Sequence, residues 1–199
     1  MRFMLRNVNS PHPPLVLASQ SPRRRRLLAD AGYDFIVAPP SESAESGLRG
    51  DESPEKMVSE LARRKAFDVV KRFGSGIVVG CDTVAECGGR ILGKPSDREH
   101  ARWMLHWLQG NEHRVLSGLC LWRAGTSRHV VEVSVTRLIM EPLTDSRIED
   151  YLASGQWWGK AGAFGYQDGH DWLRVLDGSE SNVVGLPLEL LREMLGTFD

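Results

Sequence analysis

One run of residues constrains the fold of this chain more than any other. Residues 76–84, Gly-Ile-Val-Val-Gly-Cys-Asp-Thr-Val, are almost continuously apolar. Such a run predicts a strand buried on both faces, as in a sheet covered by helices, so we expect an α/β fold. Asp82 lies near the carboxyl end of this strand, where ligands bind in open α/β sheets. A carboxylate there either caps a turn or serves as a metal ligand or general base, and the run leaves both interpretations open.

A second stretch, residues 15–28, predicts a strand, a polar loop and a helix in succession. Ser21 is a favourable N-cap, and Pro22 is a favourable first helical residue. The loop before them therefore faces a helix N-terminus, where free amides and the helix dipole favour an anion.

Four consecutive arginines begin this helix. Arg23 and Arg24 lie one turn before the apolar pair that follows, so they share the inward face of the helix. We interpret Arg23 and Arg24 as a phosphate clamp and expect Arg25 and Arg26 to remain solvated. A basic helix face with no ligand is an equally good interpretation of this stretch alone.

A second helix is expected from the cap at Ser53 to about Phe73. Its predicted inward stripe is Val58, Leu61, Ala62, Lys65, Ala66 and Val69. Lys65 is the exception in this stripe, because an unpaired lysine is costly to bury. Its side chain either extends to the rim of the helix or reaches into a cleft toward an anionic ligand.

The remaining elements follow from cap, turn and alternation signals. We expect strands at 33–38, 114–122, 128–140 and 172–176, a hairpin at 87–92, a helix capped by the box at 96–99 and ending near 108, a helix capped by Thr144, and a last helix after Pro187. Lys94 precedes a helix start and is a second cation that could face phosphate. Trp157 and Trp158 are expected to pack in the core, while Gln167 has the donor and acceptor needed to bind a base edge.

The loop at 41–53 is acidic and rich in serine and glycine. Glu42 and Glu45 belong to this loop. Such a loop could supply a metal ligand, and a solvated surface loop is the alternative.

Composition narrows the class of protein. The 199 residues carry a net charge of -1, which gives no overall basic field for nucleic acid. Three cysteines without metal-site spacing favour a reducing cytoplasm over a disulfide framework, and no apolar run is long enough to span a membrane. We expect a flexible N-terminal extension at 1–14 and one domain at 15–199.

Taken together, the motifs resemble those of the Maf family of nucleoside triphosphate pyrophosphatases. The matching segments are 17–24 with 27–28, 61–62 with 65–66, 80–83, 93–95, 160–167 and 184–187. They occur in order from Leu15 to about Leu195, and only residues 1–14 are expected to lie outside the resemblance.

The resemblance implies a mixed, elongated sheet flanked by helices, with two lobes around a deep cleft, as in inosine triphosphate pyrophosphatases. It implies hydrolysis between the α- and β-phosphates with a divalent cation, Mg, Mn or Co. Asp82 matches the catalytic acid/base position and a potential metal ligand. The phosphate-contacting positions match Ser19, Arg23, Arg24, Lys65 and Lys94. A homodimer is expected by analogy.

Three positions distinguish the substrate classes of the family. Arg23, Thr83 and Gln167 match the branch that acts on dTTP and UTP, whereas the 7-methyl-GTP branch usually has Trp, Gln and Glu there. Two features depart from the pattern. Residues 40–45 replace the usual Asp-Glu, so that Glu42 or Glu45 would be the acidic metal ligand, and Asp168 stands where glycine is common.

Two other functions stay open at this point. The chain could act on other or methylated nucleotides. It could also be a non-catalytic nucleotide-binding regulator of septum formation, which would bind nucleotides through the same arginines without releasing pyrophosphate.

Overall fold

The computed structural model describes residues 14–45 and 52–198, with only the backbone at Glu45. Of the expected extension at 1–14, only Pro14 lies within these ranges. The strands are β1 (Leu15–Ala18), β2 (Phe35–Val37), β3 (Ile77–Cys87), β4 (Arg90–Leu92), β5 (Glu112–Arg123), β6 (His129–Met140) and β7 (Leu173–Asp177). They form one seven-stranded sheet in the order β2-β1-β3-β5-β6-β7, with β4 paired to β3. Since β1 is parallel to β2 and β3 while the other pairs are antiparallel, the expected mixed sheet is confirmed.

The helices begin largely at the predicted caps. They are α1 (Pro22–Asp30), α2 (Pro54–Val70), α3 (Arg98–Leu108), α4 (Asp145–Ala153), α5 (Glu180–Val184) and α6 (Leu188–Thr197), with short 3-10 turns at Glu42–Glu45, Ala161–Ala163 and Tyr166–Asp168. The hydroxyls of Ser21, Ser53 and Thr144 each accept a hydrogen bond from the backbone amide three residues later. These hydrogen bonds confirm the three predicted caps. Each cap supplies a partner for one of the first backbone amides of its helix, which have no partner within the helix.

Three expectations are corrected, and one helix was not predicted. The cap of α3 is Asp97 rather than Ser96, because the Asp97 carboxylate accepts the His100 amide at 2.8 Å. β3 continues to Cys87, so Asp82 lies within the strand and not near its end. Trp158 is 65% exposed, whereas Trp157 is buried as expected. The helix α5 was not expected, since its five residues are too few for a periodic pattern.

Both faces of the first half of the sheet are covered. Side chains of β1 alternate between the faces: Leu15 and Leu17 pack with α1 and α6, and Val16 and Ala18 pack against α2. The second half of β3 and the start of β5 belong to another core, which includes buried residues of α3 and α4. The two clusters over the first half of the sheet form one of the expected lobes, and this core forms the other, on one continuous sheet. Within the described ranges, no helix combines the length and apolar character needed to cross a bilayer.

His113 on β5 is a buried titratable group in the second core. Its ring is 2% exposed, lies edge-on to Phe164 with centroids 5.3 Å apart, and has Nδ1 3.3 Å from the backbone oxygen of Asn111. Burial lowers the pKa of His113 to about 4, from an ordinary value of 6.5, while the bond to Asn111 and the charge of Glu86 oppose this shift. The folded protein therefore keeps this imidazole neutral at pH values where the unfolded chain protonates it.

We expect the stability of the fold to decrease as the pH falls from 6.5 to 4, because the unfolded state takes up a proton at His113 that the folded state does not bind. The contribution of His113 is present in full above pH 6.5 and amounts to roughly 3 kcal/mol over this window. Urea unfolding of the wild type and His113→Gln at several pH values measures it. Equal pH dependence in the two proteins between pH 6.5 and 4 would contradict the assignment.

Candidate active site

A cavity opens between the two lobes where β1 ends and β3 continues. Its volume is about 380 Å³, within the range of small-molecule sites. Ser19, Arg23, Arg24, Lys65, Asp82, Thr83, Lys94 and Gln167 all line it. The structure therefore brings these eight predicted site residues into one cavity from distant parts of the sequence.

Asp82 and Lys65 form an ion pair in the wall of this cavity. Lys65 Nζ lies 2.6 Å from Asp82 Oδ1, and the side chains are 7% and 15% exposed, respectively. Lys65 thus reaches into the cleft and does not extend to the rim of α2. Asp82 lines the cavity as well, so its side chain lies within reach of a ligand there.

Two glycines allow α2 to bring Lys65 this close to the sheet. Gly80 on β3 faces the helix backbone, where a Cβ would overlap Ala62 O and lie 2.9 Å from Ala66 N. Gly118 on β5 is the register partner of Asp82, and a Cβ there would overlap Val58 O and lie 2.8 Å from Ser59 N. The close approach of the helix to the sheet therefore depends on the absence of side chains at both positions.

Arg24 is fixed in the cavity lining by three hydrogen bonds. Its guanidinium donates through Nε to Gly185 O at 2.7 Å, through Nη1 to Ser19 Oγ at 3.3 Å and through Nη2 to Thr83 Oγ1 at 3.0 Å. The residue is 9% exposed, while Arg25 and Arg26 lie on the exposed face of α1 and Arg26 pairs with Asp30. The division of the arginines into inward and solvated pairs is confirmed.

Arg23 lies at the cavity mouth next to Arg24. Its Nη2 donates to Gly159 O at 2.9 Å. Burial, together with the neighbouring charge of Arg24, lowers the pKa of Arg23, although it remains a strong base. An anion bound between the two guanidiniums would relieve their mutual repulsion.

Lys94 and Gln167 complete the lining from the second lobe. Lys94 follows β4 and is exposed, and it has no hydrogen bond or ion pair with the rest of the described chain. Its ammonium is therefore accessible to a ligand. Gln167 is also exposed, within the 3-10 turn Tyr166–Asp168.

Sequence reasoning missed an ion pair at this edge of the cavity. Lys160, which lines the cavity, pairs with Asp168, and the two side chains are 10% and 13% exposed. Phe164 and the exposed Trp158 also line the cavity. The replacement of a common glycine by Asp168 was the available signal for this pair, since a new buried carboxylate needs a cation.

The acidic groups near the cavity are few. Among the lining residues that the structure describes, Asp82 is the only carboxylate, and residues 14–45 and 52–198 contain no group of three or more His, Cys, Asp and Glu arranged to hold a metal ion. Glu42 is exposed and is not part of the described lining. The side chain of Glu45 lies outside the described residues. One carboxylate fits a cation such as Mg²⁺, which is commonly held by one or two carboxylates together with substrate phosphates.

Comparison with known proteins shows similarity to one family over nearly the whole chain. Residues 14–198 match the family described as "Maf-like protein". A protein from Rhodopirellula baltica named dTTP/UTP pyrophosphatase is 53% identical over 200 residues, with 100% of this chain and 88% of that protein covered. This similarity includes the residues 1–14 that were expected to lie outside it.

Other relatives carry the same name. The dTTP/UTP pyrophosphatase of Pelotomaculum thermopropionicum is 41% identical over 92% of this chain and 96% of its own length. A solved structure of a HAM1 protein from Coxiella burnetii is 16% identical, with a TM-score of 0.48 and coverage of 94% of this chain and 98% of that one.

Proposed function

Because the chain belongs to the Maf family, we propose that it hydrolyses dTTP and UTP between the α- and β-phosphates, releasing nucleoside monophosphate and pyrophosphate. The observation that carries this proposal is the convergence of one carboxylate, Asp82, and several cations on a single cavity. Phosphoryl transfer is accelerated mainly by positioning and charge stabilisation, and this cavity offers both.

The cations would bind the triphosphate. Arg24 is held rigid by three hydrogen bonds, so little side-chain entropy is lost when it binds an anion. Arg23 and Lys94 would contact further phosphate oxygens from the mouth of the cavity. Ser19 lies in the loop before α1, where its hydroxyl accepts both Arg24 Nη1 and the Ser21 amide, and it would orient the clamp toward phosphate.

Asp82 would act on the attacking water. As a carboxylate it can accept a hydrogen bond from water and take its proton, and Lys65 holds Oδ1 in place at 2.6 Å. The ammonium of Lys65 also places positive charge where negative charge develops on the phosphate. Asp82 is therefore the proposed catalytic residue, and Lys65 both positions it and contacts the substrate.

A divalent cation fits this arrangement. Asp82 would hold it together with the phosphate oxygens, with Glu42 or Glu45 as the candidate for a second ligand. When bound, the cation would neutralise charge on the triphosphate. We propose Mg²⁺, with Mn²⁺ or Co²⁺ as the alternatives to be tested.

Base recognition would involve three residues of the cavity lining. Arg23, Thr83 and Gln167 are proposed as the residues that determine the preference for dTTP and UTP. Thr83 Oγ1 contacts Arg24 at 3.0 Å and Ser117 Oγ at 2.8 Å, so a larger residue at position 83 would displace Arg24. Thr83 would therefore influence selectivity through the placement of the arginine.

We further propose that the protein works in the cytoplasm as a homodimer. The three cysteines, Cys81, Cys87 and Cys120, are free and buried, which fits a reducing compartment. Two-fold assemblies are the commonest oligomers, and light scattering of the purified protein would test this one.

We expect dTTP and UTP to release pyrophosphate with the highest kcat/KM in a panel that includes ATP, GTP, CTP and 7-methyl-GTP. The reaction should stop when EDTA removes the divalent cation and resume on addition of Mg²⁺, Mn²⁺ or Co²⁺. Pyrophosphate and monophosphate are measured together, since release of orthophosphate would contradict cleavage between the α- and β-phosphates. Saturable binding of nucleotide without any product would instead favour the non-catalytic regulator.

A further inference from the structure

The ion pair between Lys160 and Asp168 bears on base selection. Asp168 accepts the ammonium of Lys160 at Oδ2 and the side-chain amide of Gln167, through Nε2, at Oδ1, 3.2 Å away. We propose that Asp168, anchored by Lys160, fixes the amide of Gln167 so that its oxygen is presented to the base, which selects thymine and uracil over cytosine. The inference rests on the proposed function, because it concerns the base of the same nucleotide.

Charge determines which end of the Gln167 amide faces Asp168. Both oxygens of the Asp168 carboxylate act as hydrogen-bond acceptors here, one for Lys160 and one for Gln167. The NH₂ group of Gln167 must therefore be directed toward Asp168, and the amide oxygen is turned away from it.

The orientation of the amide matters because pyrimidine bases differ in the hydrogen-bonding groups at N3 and C4. Thymine and uracil carry an N3–H donor, which pairs with the oxygen of an amide. Cytosine has an acceptor at N3 and an amino donor at C4, so its N3 and the amide oxygen would repel each other. An amide fixed by Asp168 thus favours dTTP and UTP, whereas a freely rotating amide would accept either base.

The anchor is itself tightly packed. A Cβ at Gly165 would overlap both Asp168 Oδ2 and Lys160 Nζ and would lie 2.9 Å from Asp168 Cγ. The backbone of Gly165 has φ -132°, which any residue adopts. Gly165→Ala should therefore displace the ion pair without removing either charge.

The test is the ratio of kcat/KM for UTP to that for CTP in Asp168→Asn. Lys160 can only donate, so the asparagine oxygen should face Lys160 and its NH₂ group should face Gln167. Gln167 would then turn its own NH₂ group toward the base. We expect the UTP-to-CTP ratio to fall by roughly ten- to hundredfold, with CTP hydrolysis gaining, because a matched hydrogen bond becomes a mismatched one.

Two further variants make the test decisive. Gly165→Ala should lower the ratio toward unity without reversing it. Asp171→Asn, which removes an exposed carboxylate paired with Arg147, should leave the ratio unchanged. If circular dichroism shows that Asp168→Asn does not fold, the ratio measured for Gly165→Ala decides.

Each outcome separates the inference from the proposed function. An Asp168→Asn variant with an unchanged ratio overturns the inference and leaves the proposed function in place. A wild-type protein that releases pyrophosphate from UTP and CTP equally well overturns the inference together with the proposed preference for UTP, and leaves cleavage between the α- and β-phosphates in place. No pyrophosphate from any nucleotide overturns the proposed function.

Discussion

Asp82→Asn should lower the kcat for pyrophosphate release from UTP by about 10² to 10⁴-fold, the range typical for loss of a general base. The change keeps the shape of the side chain, and the asparagine oxygen can still accept from Lys65, which lies 2.6 Å from Oδ1 in the wild type. It removes the negative charge and the capacity to take a proton from water. The effect should therefore fall on turnover rather than on folding.

Binding should respond much less than turnover. Arg24 keeps its bonds to Gly185, Ser19 and Thr83 in this variant, so the phosphate clamp remains assembled. We expect the Kd of a UTP analogue with a non-hydrolysable α,β-bridge, measured by calorimetry without added metal, to change by less than about tenfold. A large decrease in kcat with little change in Kd indicates an interaction made mainly in the transition state.

A matched control comes from another carboxylate on α2. Asp68 is a carboxylate that pairs with Arg72 and accepts from Ser41, outside the described cavity lining. Asp68→Asn should leave kcat close to that of the wild type. Turnover of Asp82→Asn within a factor of a few of the wild type would remove Asp82 from the proposed role.

Local signals account for most of the fold that could be predicted. A hydroxyl followed by proline marks the start of both α1 and α2, since capping depends on neighbours within one turn. The extent of β3 could not be predicted in the same way. Its second half is held by β5 and β4, and such pairing is a property of residues far apart in the chain.

The candidate site likewise contains residues that could be predicted from the sequence and contacts that could not. The cations and Asp82 could be selected from the sequence because their charges are conspicuous in apolar or helix-start surroundings. The pairing of Lys160 with Asp168 was not predicted, because the two residues meet only through the turns between them. The packing of α2 on glycines was also not predicted, since a glycine within a strand indicates close approach without identifying the partner.

Gly118→Ala should both destabilise the protein and slow its reaction. The added methyl group would overlap the backbone of Val58 and Ser59 in α2, which cannot rotate away as a side chain could. Relief requires α2 to move from the sheet, and overpacking of this kind costs about 1–3 kcal/mol or more. For a chain of this size, that corresponds to a decrease in Tm of roughly 2–12 °C.

The same movement should impair catalysis, because Lys65 is carried by α2 and Asp82 by the strand opposite Gly118. A misplacement of about 1 Å can cost on the order of 10²-fold in rate. We expect kcat for UTP to fall even at temperatures where the variant is fully folded by circular dichroism. Gly80→Ala, where the helix carbonyl of Ala62 would be overlapped, should act in the same direction.

The control is a glycine with room around it. A Cβ at Gly74 would meet no atom within 4 Å, so Gly74→Ala should change neither Tm nor kcat by a measurable amount. A Gly118→Ala variant with the wild-type Tm and the wild-type kcat would contradict the claim that α2 needs a glycine at position 118 to bring Lys65 to Asp82. A lowered Tm with an unchanged kcat would show that the Lys65–Asp82 pair tolerates displacement of α2, and would weaken the case for Lys65 as the residue that positions the carboxylate.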